Sequence, residues 1–122
     1  MNALILGHTG FVGKNLKRFL ENKGCEVKGL SRSECDLIFN CAANVGSVHY
    51  VTEKAADVIA DNSLMALNLY KGVHELSPNT KIVNLLSNCC YANGTEIQDE
   101  TKWLNGDVHP SVFSFGNFKR VL

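Results

Sequence analysis

Residues 2–6 form a short, mostly apolar run followed by a glycine-rich turn. A strand buried on both faces of a parallel sheet reads this way. The next segment sets Val12, Leu16, Phe19 and Leu20 at helical spacing and turns Lys14, Lys17, Arg18 and Glu21 outward. It predicts a helix with that apolar inner face and Gly24 as its C-terminal glycine. Residues 26–30 are a second strand and residues 37–41 a third, running into Ala42-Ala43-Asn44-Val45-Gly46. A single long helix is expected over 52–74, with Val58, Met65, Leu69 and Val73 as its core stripe. Residues 81–86 predict a fourth strand ending at Ser87. Residues 88–111 are polar and irregular, with Gly94, Gly106 and Pro110, and read as an ordered functional loop. A further helix begins at Ser114 and runs to Leu122.

Strands alternating with helices give an α/β doubly wound parallel sheet of the Rossmann type, here one truncated dinucleotide-binding domain over 1–122. The link from strand two to strand three does not fit the complete fold. It is only residues 31–36, whereas a parallel crossover takes a dozen or more residues. Six residues at ~3.3 Å each reach about 20 Å. In the usual strand order 3-2-1-4, another strand and helix follow strand two before the chain crosses strand one. The expectation is therefore an incomplete sheet, with one βα unit after strand two lost.

Composition narrows the function. Twelve basic and twelve acidic residues cancel, so neither a nucleic acid nor a membrane surface is an expected partner. No run approaches the ~18 apolar residues of a membrane span. The N-terminus lacks the features of a signal peptide. The five cysteines, Cys25, Cys35, Cys41, Cys89 and Cys90, are odd in number and include no C-x-x-C. No disulfide scaffold and no metal site are expected, and the compartment reads as reducing and cytoplasmic, with most cysteines as small buried residues.

Chemistry enters at Gly7-His8-Thr9-Gly10-Phe11-Val12-Gly13. This G-x-x-G-x-x-G lies between the first strand and the first helix. Glycines there permit a tight turn, a close approach of pyrophosphate to the backbone, and close helix–strand packing. The free N–H groups of the helix N-terminus then face the phosphates. The second strand ends Gly29-Leu30-Ser31-Arg32, with no acid before Arg32 to hold a ribose 2′-hydroxyl. Ser31 and Arg32 suit a 2′-phosphate, which favours NADP over NAD.

The turn at Gly7–Gly10, the segment Cys41-Ala-Ala-Asn-Val-Gly46, and Leu86-Ser-Asn-Cys-Cys-Tyr91 together resemble the GDP-L-fucose synthases. These are extended short-chain dehydrogenase/reductases of the NAD-dependent epimerase/dehydratase type. The resemblance continues through Asp99-Glu-Thr101, Asn105-Gly106 and His109 to Phe115-Gly-Asn-Phe-Lys119-Arg120. It implies NADPH-dependent epimerisation and reduction of a GDP-4-keto-6-deoxy sugar. Carried over by position, Ser87 hydrogen-bonds the reacting keto oxygen and Cys89 is the epimerisation base. Lys119 holds the nicotinamide ribose and tunes a tyrosine four residues earlier, and Arg32 meets the 2′-phosphate. The cofactor set so implied is Gly7, Thr9, Gly10, Phe11, Val12, Gly13, Ser31, Arg32, Ala42, Ala43 and Lys119.

This chain departs from that family pattern where the tyrosine belongs, because Phe115 stands there. Ketone reduction by hydride needs a proton donor at the oxygen, and phenylalanine has none. General acid catalysis typically contributes about 10²–10⁴-fold. The family's C-terminal substrate domain is also absent from residues 1–122. Two readings follow. One is part of an active reductase, with the substrate domain on a complementing C-terminal half; a homo-oligomer is a further candidate partner. The other is a non-catalytic dinucleotide-binding or regulatory module. His8 is expected to orient the turn, His109 to be a loop residue, and His49 and His74 to lie on the surface or at helix ends. Cys90 is expected in the core.

Overall fold

The computed structural model describes residues 1–28 and 35–122. It contains four strands, β1 (Asn2–Leu6), β2 (Glu26–Lys28), β3 (Leu37–Asn40) and β4 (Lys81–Asn84). Its four α-helices are α1 (Phe11–Asn22), α2 (Val48–Glu53), α3 (Ala55–Leu76) and α4 (Phe113–Arg120). Short 3-10 turns cover Asn88–Cys90, Glu100–Lys102 and Pro110–Val112. The chain divides into two compact units. One comprises residues 1–43 and 67–85, the other residues 44–66 and 86–122.

The first unit is the sheet, ordered β2-β1-β3-β4. All three strand pairs are parallel. This is the 2-1-4-5 stretch of a doubly wound sheet. β2 and β3 therefore lie on opposite sides of β1, and the strand that would flank β2 is the one missing among the described residues. The incomplete Rossmann-like sheet expected from the short link is what forms. Residues 29–34, which include the end of the predicted second strand, lie outside the described residues. At the far end of the link the chain is tied down firmly. The Asp36 N–H donates to the Asn2 carbonyl at 3.0 Å and the Thr80 hydroxyl to the Cys35 carbonyl at 2.6 Å.

Ala3, Ile5 and Leu20 form the buried core of the sheet unit, with Leu16, Cys25, Val27, Phe39 and Cys41 packed around them. Two members of the predicted inner face of α1 are not there. Val12 is exposed, and Phe19 is 57% exposed with the Lys23 ammonium 5.8 Å from its ring centre. Helical spacing grouped four apolar residues, but the face that meets the sheet is Gly13, Leu16 and Leu20. Gly24 does close the helix, at φ +76°, where a side chain is strained.

The predicted 52–74 helix is two helices. Ser47 caps α2, its hydroxyl accepting from the Tyr50 N–H at 3.2 Å, and Lys54 at φ −101°, ψ 32° separates α2 from α3. Hydrogen bonds still run through the break, from Lys54 N–H to Tyr50 and from Val58 N–H to Lys54. The period-based boundary missed the cap because Ser47 precedes the first residue of the apolar stripe. The stripe itself also shifts. The buried residues of α3 are Val58, Asn62 and Ala66, while Met65 is 39% exposed.

Asn62 is 0% exposed. Its amide donates to the Asn44 carbonyl at 2.8 Å and accepts from the Asn44 N–H at 2.8 Å. A buried amide must satisfy its donors and acceptor, and here it does so by stapling the strand-end segment onto the helix. The loop before α4 is closed by an antiparallel bridge between Ala92 and Val108 and by the Asn93 N–H donating to Asp107 at 2.8 Å.

Candidate dinucleotide turn and reaction site

Each unit carries its own candidate residues. In the sheet unit, Gly7 ends β1 at φ +77°. A Cβ on Gly7 would lie 2.9 Å from the Cys41 carbonyl and 3.0 Å from the Ala42 nitrogen. A Cβ on Gly13 would lie 2.2 Å from the Gly7 carbonyl oxygen. Both positions exclude any side chain, so the turn is drawn tightly between helix and sheet. Gly10, the N-cap of α1, donates its own N–H to Gly7 at 3.0 Å and supplies no capping side chain. The first turn of α1 carries no acid. Its leading N–H groups thus present partial positive charge without an internal carboxylate to occupy them. Thr9 and Phe11 are exposed at this turn. Of the other expected cofactor residues, Ala42 adjoins it and Ala43 is half-buried just beyond. Ser31 and Arg32 lie outside the described residues.

In the second unit, Ser87 and Cys89 follow the fourth strand. The Ser87 hydroxyl accepts from the Cys89 N–H at 3.3 Å, and Cys90 is fully buried behind them, as expected. The remaining cysteines are half-buried rather than core, and none of the five forms a disulfide. α4 approaches this turn so closely that a Cβ on Gly116 would sit 2.4 Å from the Cys89 carbonyl oxygen. Arg120 tightens the same junction, donating to the Cys90 carbonyl at 2.6 Å and the Gly106 carbonyl at 2.8 Å.

Phe115 and Lys119 lie one turn apart in α4, 7% and 4% exposed. The Lys119 ammonium is 5.7 Å from the Phe115 ring centre and 5.5 Å from that of Phe118. Where the family pattern has a phenol beside this lysine, the lysine meets a π face. His109 has a structural task. Its Nδ1 accepts from the Ser111 N–H at 3.2 Å and caps the turn before α4. His8, His49 and His74 are exposed.

Beside Ser87 opens a cavity of about 520 Å³, walled by Leu86 and Cys90 and carrying Tyr91, Glu100 and Trp103. Asp99 holds that outer wall. Its carboxylate accepts from the Thr101 N–H at 2.9 Å and the Thr101 hydroxyl at 2.8 Å. These bonds, the backbone one foremost, hold the Asp99 carboxyl below the usual aspartate range.

The sequence profile of the NAD dependent epimerase/dehydratase family matches residues 3–35 and 30–116. The chain belongs to this family. The match runs in two pieces that meet at the short link between β2 and β3, where the family's βα unit is missing. No curated protein matches. Among solved structures, the chain is similar to DdhaC, with a TM-score of 0.88 and 19% identity over 98% of this chain and 40% of that one. It is similar to a GDP-mannoheptose C4 reductase from Campylobacter jejuni with NADP bound, at 0.82 and 22%, over 98% and 41%. A GDP-L-fucose synthetase from Naegleria fowleri follows at 0.77 and 19%, over 98% and 41%. The chain spans about two-fifths of the length of these proteins. Among the described residues no helix is long and apolar enough to cross a membrane, and no metal-binding cluster forms.

For this epimerase/dehydratase-family chain, the sequence named the glycine turn, Ser87, Cys89, Phe115 and Lys119 as candidates. It missed Gly116, Trp103 and the role of Arg120. Gly116 left a signal, because a glycine inside a helix costs about 1 kcal/mol against alanine and usually marks a close approach. Trp103 left none, since its cavity forms only when residues 86–91 meet residues 100–103.

Proposed function

We propose that this chain is the NADP-binding part of a nucleotide-sugar epimerase/reductase resembling GDP-L-fucose synthase, inactive as an isolated chain. The observation that carries the reading is the turn from Gly7 to Gly13. Two of its glycines sit where no Cβ fits, and an uncapped, acid-free helix N-terminus follows. These features fit a dinucleotide pyrophosphate, with Gly7, Thr9, Gly10, Phe11, Val12 and Gly13 around it and Ala42 and Ala43 beside it. The bound nicotinamide would supply hydride. Ser31 and Arg32 are proposed to hold the 2′-phosphate and set the preference for NADP over NAD.

In the second unit Ser87 is proposed to hydrogen-bond the substrate's keto oxygen, Cys89 to remove the proton next to that ketone, and Lys119 to hold the nicotinamide ribose. The proton donor is the missing function. Phe115 cannot supply it, and residues 1–122 span only about two-fifths of the length of the similar solved proteins, so the rest of a substrate site would have to come from elsewhere. Correct positioning alone can account for about 7–11 kcal/mol of a barrier. A second reading, a non-catalytic dinucleotide-binding module, is favoured specifically by the buried Phe115 ring under Lys119.

Titration calorimetry with NADP⁺ and NAD⁺ tests the cofactor reading. Tighter NADP⁺ binding, lost in preference by Arg32→Ala, is expected; equal affinities overturn it. An NADPH oxidation assay tests the rest. No turnover is expected from the chain alone, and turnover by Phe115→Tyr is expected only with a family C-terminal half added. Turnover by the unmodified chain, or none by the complemented Phe115→Tyr, separates the two readings.

A further inference from the structure

We propose that Trp103 and Glu100 read the sugar of the substrate, in the cavity beside Ser87. The proposal rests on the nucleotide-sugar reading above and goes beyond it by assigning the specificity residues. At about 520 Å³ the cavity falls in the range of small-molecule sites, about 300–1,000 Å³. Its lining has three chemical parts. Leu86 and Cys90 are apolar, Ser87, Asn88 and Tyr91 carry two hydroxyls and an amide, and Glu100 with Trp103 add a carboxylate and an indole. A hexose ring is built to match such a set. One face is a patch of polarised C–H groups, which packs on the electron-rich face of an indole, and the rim is a ring of hydroxyl donors, which a carboxylate accepts.

Other occupants fit worse. A phosphate would meet the Glu100 charge with no cation among the lining residues. A wholly apolar ligand would make no use of Glu100, the Asn88 amide or the two hydroxyls. Asp99, bonded twice to Thr101, keeps residues 100–103 in the turn that presents both side chains. Because Ser87 shares the cavity, a sugar held there sits against the hydroxyl proposed to meet its keto oxygen.

Trp103 is the only tryptophan in the chain, so its fluorescence reports this cavity directly. The probes are GDP-L-fucose, L-fucose, GDP and NADP⁺. A saturable change with GDP-L-fucose and with L-fucose at millimolar concentration, and none with GDP, is expected. Glu100→Gln should weaken sugar binding about tenfold, through loss of a charged acceptor. Trp103→Phe, followed by saturation-transfer NMR on the sugar protons, should keep a weakened signal, and Trp103→Ala should lose it. Neither Glu100→Gln nor Trp103→Phe should alter NADP⁺ affinity by calorimetry, which also shows that both variants fold. No sugar response, an equal response to GDP, a response to NADP⁺ instead, or unchanged sugar binding by Glu100→Gln overturns the assignment. If NADP⁺ binds and sugar does not, this proposal alone fails; if sugar binds and NADP⁺ does not, only the cofactor reading fails.

Discussion

Gly13 in the sheet unit and Gly116 in the other unit occupy equivalent predicaments. Each lies in a helix, and each faces a backbone carbonyl so near that a Cβ would clash, at 2.2 Å from Gly7 and 2.4 Å from Cys89 respectively. They differ in how far the clashing partner lies along the chain. Gly13 presses on a residue within its own turn, in a spacing that sequence alone exposes. Gly116 presses on a turn that precedes it by a loop and two 3-10 turns. The same physical device, a helix brought against a strand-end turn by deleting a side chain, is thus a legible motif in one unit and an invisible contact in the other. The first frames the turn proposed to hold a dinucleotide phosphate. The second sets α4, with Phe115 and Lys119, against the turn that carries Ser87 and Cys89.

The comparison is sharpest when both glycines are changed. Gly13→Ala and Gly116→Ala should each cost about 3 kcal/mol or more, since the obstructing atoms are backbone and cannot swing aside. Only Gly13→Ala should abolish NADP⁺ binding by calorimetry. Gly116→Ala, which displaces α4 and with it Lys119, should weaken it less and should also shift the fluorescence of Trp103. Equal damage to NADP⁺ binding would mean that the two devices are not separable.

Asn62 tests the second unit from its other side. Asn62→Leu keeps the volume and strands the Asn44 N–H and carbonyl, so a loss of about 2–3 kcal/mol is expected in chemical denaturation. A neutral result would mean that water replaces both bonds.

The smallest effect concerns Asp99. Its carboxyl sits below the ordinary aspartate range because the charged form is bonded to Thr101. A depressed folded value means that the contribution is fully present at neutral pH and is lost as pH falls through that value, below the usual carboxylate range. Trp103 emission should therefore titrate in acid, and Asp99→Asn, which keeps an acceptor without the charge, should flatten that titration. An unchanged acid profile in Asp99→Asn would separate Trp103 from the cap.

Sequence by itself determined the parallel α/β class, the place of the glycine turn, the left-handed Gly24, the short link with its missing βα unit, and the absent phenol at Phe115. Each of these is local. Apolar runs, glycine spacing and a motif with one altered letter are read within a few residues, and the link was judged by counting them. What only the tertiary structure decided is non-local. Val12, Phe19 and Met65 face outward although their spacing promised burial, because spacing states that residues share a face and not that the face is covered. Asn62 is buried because Asn44, eighteen residues away, offers it both a donor and an acceptor. Trp103 lines a cavity because the 99–103 turn comes to rest beside residues 86–91. Burial and cavities belong to pairs of segments, and a pattern read along one segment carries no record of its partner.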